Sequence, residues 1–317
     1  ILDYSGYSIA PGLVDTHIHG FGGVDVMDNN IEGTLHTMSE GLLSTGVTSF
    51  LPTTLTSSYE QLLAVTENIG ARYKEASGAK IRGIYFEGPY FTEEFKGAQN
   101  PAYMKDPRMD EFRAWQKAAN GLLNKIALAP ERDGVEDFVR TITGEGVTVA
   151  LGHSNATFDE AKKAVDAGAS VWVHAYNGMR GLTHRELGMV GAMYELPHTY
   201  AELICDGHHV DPKACEILLK QKGTENIALI TDCMTAGGLQ DGDYMLGEFP
   251  VVVANGPARL KSTGNLAGSI LKLKDGLKNV VEWGIANPHE AVMMASLNPA
   301  KSVHIDDVCG QIREGYD

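Results

Sequence analysis

The sequence predicts an α/β fold, a (β/α)₈ barrel of parallel strands, on three observations. Short apolar runs rich in β-branched residues alternate along the chain with segments of helical period. Eight such runs occur, enough for a parallel sheet to lose its edges by closing on itself. Several of them run into a histidine or an acid, and the carboxyl ends of the strands are where a parallel barrel carries its function. An open doubly wound sheet is the alternative that the same alternation allows.

The eight runs are 13–17, 47–52, 81–87, 125–129, 147–153, 170–174, 201–206 and 227–232. Amphipathic segments at 59–75, 109–119, 135–144, 158–167 and 212–220 read as the helices between them, often ended by glycine. The segment 244–260 breaks the rhythm. Its two β-like runs around Asn255, Gly256 and Pro257 predict a β-hairpin inserted after strand eight, with helices at 269–284 and 289–296 to follow. With no internal repeat and no low-complexity linker, residues 1–317 read as one barrel domain. The last residues, 310–317, read as an interrupted strand, and both ends look cut from a longer chain.

A formal charge of -15 with scattered Lys and Arg argues against nucleic acid as a partner. The sequence has no apolar run of roughly 18 residues and no basic, apolar leader over residues 1–12, so no membrane partner and a cytoplasmic location are expected. Cys205, Cys215, Cys233 and Cys309 form no C-x-x-C pair and are expected to be reduced thiols, mostly buried.

Strand one runs into His17 and His19, strand three into Glu87, strand five into His153, strand six into His174 and strand eight into Asp232. Residues two apart on a strand point the same way, so His17 and His19 can face one ion. Alone, an H-x-H pair is often structural, and His153 or His174 alone reads equally as a hydrogen-bonded histidine at a strand end. The acids weigh more, because a carboxylate closing an apolar strand is costly to bury unless paired or metal-bound. Imidazoles and carboxylates at one mouth are the donor set that Zn²⁺ or Fe²⁺ favours.

The stretches PGLVDTHIHG at 11–20, FEGP at 86–89, LGHS at 151–154, HAYNGM at 174–179, DGHHV at 206–210 and TD at 231–232 resemble, in order and over nearly the whole chain, the motif set of the N-acetylglucosamine-6-phosphate deacetylases of the amidohydrolase superfamily. The resemblance implies a metal-dependent barrel hydrolase that removes acetate from N-acetylglucosamine 6-phosphate, works as a homodimer, and carries a small flanking β-domain absent or truncated here. It implies Glu87, His153 and His174 as ligands of a principal divalent metal, His17 and His19 as completing a second site, and one or two ions in all. Many relatives with two metals bridge them through a carboxylated lysine on strand four, but this strand leads into APER at 129–132, which leaves Glu87 to bridge. Asp232 is implied as general base and then acid. Arg185, His209 and the backbone near Asn177 and Gly178 are implied around the phosphate. Gln99 stands where several relatives have His, and its amide could donate to the acetyl carbonyl or a sugar hydroxyl. Leu266, in LAGS at 266–269, is implied in the acetyl pocket, while Ser269 also reads as near a helix cap. His208 is read as structural, and His36, His184, His198, His289 and His304 as surface or packing residues. Two other readings stay open: a hydrolase of another N-acyl or cyclic amide, and a catalytically silent sugar-phosphate binder on the same scaffold.

Overall fold

A strand covered by helices on one face and packed inside a barrel on the other has no wet side, so it is mostly apolar and buried along nearly its whole length. The computed structural model, which describes residue 6, residues 8–28 and residues 31–316, has eight such strands. They are β1 (Leu13–Ile18), β2 (Val47–Thr54), β3 (Ile84–Tyr90), β4 (Leu123–Leu128), β5 (Thr148–Leu151), β6 (Val171–Trp172), β7 (Tyr200–Leu203) and β8 (Ile227–Leu229). Each pairs in parallel with the next. The seam closes just beyond β8, where Cys233 bridges Ile18 and the Asp232 N–H donates to the His17 carbonyl at 2.9 Å. The closed barrel therefore holds over the open sheet, and its seam sets Asp232 beside the H-x-H pair.

Alternate strand residues serve two cores. Val14, Leu51, Tyr85, Ala127 and Ala150 form an inner cluster with Ala300, Val303 and Ile305, whereas Phe50, Phe86, Ile126, Val149 and Trp172 pack in the outer one with the helices. Thr148, which opens β5, donates to the Ser302 carbonyl, so the 300–309 segment plugs the amino end of the barrel. Only the carboxyl end is left for a site.

The helices are α1 (Ile31–Leu43), α2 (Tyr59–Arg72), α3 (Met109–Ala118), α4 (Val135–Thr143), α5 (Phe158–Ala167), α6 (Gly188–Glu195), α7 (Pro212–Lys222), α8 (Leu273–Glu282), α9 (Pro288–Ala295) and α10 (Leu297–Ser302). Their starts follow local chemistry: Ser58 caps α2, Asp211 with Pro212 starts α7, and Thr157 and Asn287 form capping boxes with Glu160 and Glu290. The sequence reading misses α1, α6 and α10. In α6 every residue from Gly188 to Met193 is buried, so no polar face marks a helical period.

Three expectations are corrected. The inserted segment is a three-stranded antiparallel meander, β9 (Gly242–Leu246), β10 (Phe249–Val253) and β11 (Ala258–Leu260): Gly247 and Glu248 turn the chain once before Asn255, Gly256 and Pro257 turn it again. The helix expected over 269–284 starts at Leu273, because Ser269 is still held to the barrel by a bridge to Cys233 and a hydrogen bond to the Thr231 carbonyl. No strand forms over the described residues 310–316, and residue 317 lies outside the described residues. All four cysteines are buried without a disulfide. No helix among the described residues is long and apolar enough to cross a membrane.

Candidate metal centre and active site

Strands five, six and eight end earlier than their apolar runs, and the cause is the site itself. His153, His174 and Asp232 adopt left-handed backbone, with φ of 46°, 26° and 49°. Such conformations are uncommon outside glycine and are kept where the surroundings enforce them, often at functional sites. Each turn swings one side chain over the barrel mouth. Gly178 completes the crowding: a Cβ there would stand 2.9 Å from His153 Nδ1, so only glycine fits.

The six strand-end residues meet. Glu87 Oε1 lies 3.2 Å from both His153 Nε2 and His174 Nε2, which are 3.0 Å from each other. On the other side Glu87 Oε2 lies 3.3 Å from His19 Nε2, and Oε1 lies 3.4 Å from His17 Nε2. Asp232 Oδ1 is 3.2 Å from His19 Nε2 and 3.6 Å from His17 Nε2. Ligand atoms about 2.0 to 2.1 Å from a tetrahedral zinc stand roughly 3.3 Å apart, the spacing of these pairs. Two groups could therefore each hold an ion, Glu87 with His153 and His174, and His17 and His19 with Asp232. Glu87 touches both.

The imidazoles are oriented as ligands. Each donates Nδ1–H outward, to Phe95 O at 2.8 Å from His153, to Asn177 O at 3.1 Å from His174, to Thr53 O at 3.1 Å from His19, and to the Glu202 carboxylate at 3.1 Å from His17. A carbonyl or carboxylate only accepts, so all four Nε2 lone pairs turn to the centre, the arrangement usual for metal-bound histidine. Nε2 of His17 is buried without a hydrogen-bond partner, a position that a cation would satisfy.

The electrostatics agree. Burial alone would raise the Glu87 carboxyl, but His17, His153 and His174 outweigh it and hold it well below the usual carboxylate range. Burial opposes charge on His17, yet Asp232, Glu87 and Glu202 push it up to about 9. Burial likewise works against His19, and hydrogen bonds to Asp232 and Glu87 carry it well above its ordinary value. Without metal the cavity thus draws protons, the signature of a site made for positive charge.

The cleft over this centre, about 150 Å³, is lined by His19, Glu87, His153, His174 and Asp232 together with Gln99, Asn177, Gly178, His209 and Leu266. Leu55, Ala98 and Leu246 join the wall, and the sequence reading missed them because only the fold sets β2 and the meander over the mouth. Gln99 lines the cleft, where its NH₂ donates to Glu87 Oε2 and its carbonyl accepts from the Thr56 N–H at 2.7 Å. Asn177 donates its side-chain NH₂ to the carbonyls of His174 and Ala175. His209 gives Nδ1–H to Asp206 at 2.7 Å, while His208 stays out of the lining, against Gly256. Arg185 is not among the lining residues. It lies exposed between Gly181 and Leu187, where a loop with few buried side chains leaves it in solvent, and its guanidinium has no ion-pair partner among the described residues.

A parallel barrel whose mouth gathers four imidazoles and two carboxylates into ion-sized groups defines a metal-dependent barrel hydrolase. The amidohydrolase family model matches residues 8–317. The chain belongs to the amidohydrolase family. It is 41% identical over 308 residues to an N-acetylglucosamine-6-phosphate deacetylase of Vibrio furnissii, covering 97% of this chain and 76% of that one. It is equally 41% identical to an N-acetylgalactosamine-6-phosphate deacetylase of Escherichia coli O157:H7, over 97% of this chain and 81% of that one. Among solved structures, a Mycobacterium smegmatis N-acetylglucosamine-6-phosphate deacetylase variant in complex with N-acetylglucosamine 6-phosphate superposes with a TM-score of 0.89 at 30% identity, over 97% of this chain and 80% of that chain.

Proposed function

We propose that this chain hydrolyses the acetamide of N-acetylglucosamine 6-phosphate to glucosamine 6-phosphate and acetate, that residues 1–317 form one barrel domain of the enzyme, and that it acts in the cytoplasm as a homodimer. The observation that carries this reading is Glu87 standing between two ion-sized groups with Asp232 beside it, in a chain whose relatives deacetylate amino-sugar phosphates. Glu87, His153 and His174 would hold the principal ion and His17, His19 and Asp232 a second, the donor set suiting Zn²⁺ or Fe²⁺. A divalent ion bound there lowers the pKa of water from 15.7 toward about 7 and polarises the acyl carbonyl.

The chain's own groups do the rest. Burial would raise the Asp232 carboxyl, but His17 and His19 hold it below its usual range, so it is ionised at neutral pH and able to take a proton from the attacking water. The same carboxyl then hands that proton to the departing amine nitrogen. Leu266, with Leu55 and Leu246, offers an apolar wall for the acetyl methyl. His209, oriented by Asp206, and Gly178 line the cleft where the phosphate would sit. Arg185 is proposed as a further phosphate contact on the family resemblance alone, since it stands exposed and outside the cleft lining.

The decisive experiment measures acetate release from N-acetylglucosamine 6-phosphate, its 4-epimer and the unphosphorylated sugar, with and without chelator. Preference for N-acetylglucosamine 6-phosphate, abolished by chelator and restored by zinc, is expected; chelator-resistant or absent release sinks the reading. The 4-epimer is the second reading, favoured by the equal identity to the galactosamine enzyme. Arg185→Ala will raise KM for the phosphorylated sugar at least about tenfold, the loss of one charge-assisted contact, and leave the unphosphorylated sugar nearly unchanged. Equal effects on both would remove Arg185 from the phosphate site.

A further inference from the structure

Two charged side chains lie inside the barrel where neither the strand-end motifs nor the cleft accounts for them. Lys125 on β4 and Glu202 on β7 are fully buried, and buried charges are tolerated when paired and hydrogen-bonded. The Lys125 ammonium bonds to Glu202 Oε1, donates to the Thr16 carbonyl at 3.3 Å and lies 3.8 Å from the centre of the Tyr85 ring. The other carboxylate oxygen, Oε2, accepts from His17 Nδ1 at 3.1 Å and from the His174 N–H at 3.4 Å. Of the four imidazoles in the centre, three rest on backbone carbonyls, and His17 alone rests on a carboxylate.

We propose that the Lys125–Glu202 pair is the positioning device of the second metal ion. Glu202 holds His17 as the Nδ1–H tautomer with its Nε2 lone pair facing the space between Glu87 and Asp232, and Lys125 fixes the rotation of Glu202. This rests on the reading of His17 and His19 as a metal site, and it extends that reading to two residues that touch neither ion nor substrate. It also gives the strand-four lysine of this chain a role other than bridging, since its nitrogen is engaged by Glu202 and the Thr16 carbonyl.

The chemistry of the amide makes the idea testable. In Glu202→Gln the carbonyl must turn to Lys125, which only donates, so the NH₂ faces His17 Nδ1 and drives the ring proton to Nε2, where it blocks ligation. Replacing Lys125 with Met as well frees the carbonyl to accept from Nδ1–H again. A Lys125→Met, Glu202→Leu double variant has no acceptor at all. Both double variants remove both buried charges, so they decide the question even if Glu202→Gln alone loses its fold.

Each protein is stripped with chelator, reloaded with zinc and analysed for bound zinc by mass spectrometry and for affinity by calorimetric titration. Two equivalents are expected for the wild type and for Lys125→Met, Glu202→Gln. The other two variants should keep one tight equivalent and bind the second roughly 10- to 100-fold more weakly, the range commanded by outer partners of metal-bound histidines. Equal stoichiometry and affinity in the two double variants overturn the positioning role. A single equivalent in the wild type overturns it as well, while acetate release by that one-zinc enzyme would leave the deacetylase reading standing.

Discussion

Asp232→Asn will lower turnover by about 10²- to 10⁴-fold, the span that a positioned general acid–base supplies, while zinc in the Glu87, His153 and His174 group stays at its wild-type level. Asparagine suits the test for two reasons. The backbone at residue 232 is left-handed, with φ of 49°, a conformation asparagine tolerates better than most residues. The anchors of this residue are main-chain bonds, its N–H to the His17 carbonyl and its own carbonyl accepting from Ser269 N–H, and both survive the change. The amide keeps an oxygen near His19 Nε2 but cannot take up the proton of the attacking water. Acetate release with the metal content measured on the same sample checks the prediction, and turnover within tenfold of wild type would remove Asp232 from the proton path.

The contrast between Asp232 and Glu202 shows which parts of the site were legible in the sequence. Asp232, Glu87, His153 and His174 stand at the ends of apolar runs, where a polar residue interrupts the pattern and the barrel rule assigns it to the mouth. Glu202 stands within its run, 201–206, and Lys125 opens its own, 125–129, so each reads as part of a strand. The available signal was the cost of burying a lone charge, which predicts that each must have a partner; which partner is set by strands β4 and β7 facing each other across the barrel. The sequence shows Gln99 on the loop after strand three, but its two hydrogen bonds, to Glu87 and from the Thr56 N–H, depend on how that loop folds over β2 and β3. Arg185 is implied by the family resemblance alone, and no pattern states whether a loop residue turns toward the cleft or into solvent. The meander β9–β11 was half visible because its second turn carries Asn255, Gly256 and Pro257, whereas its first turn holds only Gly247 and Glu248.

Glu87→Ala will abolish metal binding in the Glu87, His153 and His174 group and weaken it in the His17, His19 and Asp232 group, because Glu87 reaches all four imidazoles. Removing His153 would leave the second group whole, and removing His19 would leave the first. Loss of a metal-held reaction centre forfeits several kcal/mol of transition-state stabilisation, so activity should fall by roughly 10³-fold or more. The clearer readout is thermal. A ligand that binds only the folded state stabilises it by about 4.1 kcal/mol at 1,000 times its Kd, which for a chain of this size is a rise in Tm of several degrees. Zinc should therefore raise the Tm of the stripped wild type and raise that of Glu87→Ala by much less. Without zinc the variant should also melt below wild type, since protonated His17 and His19 lose the carboxylate that helps hold their charge in a buried site. A Glu87→Ala protein that still takes up two zinc ions and gains the wild-type increment in Tm would show that the imidazoles and Asp232 suffice, and that Glu87 does not bridge.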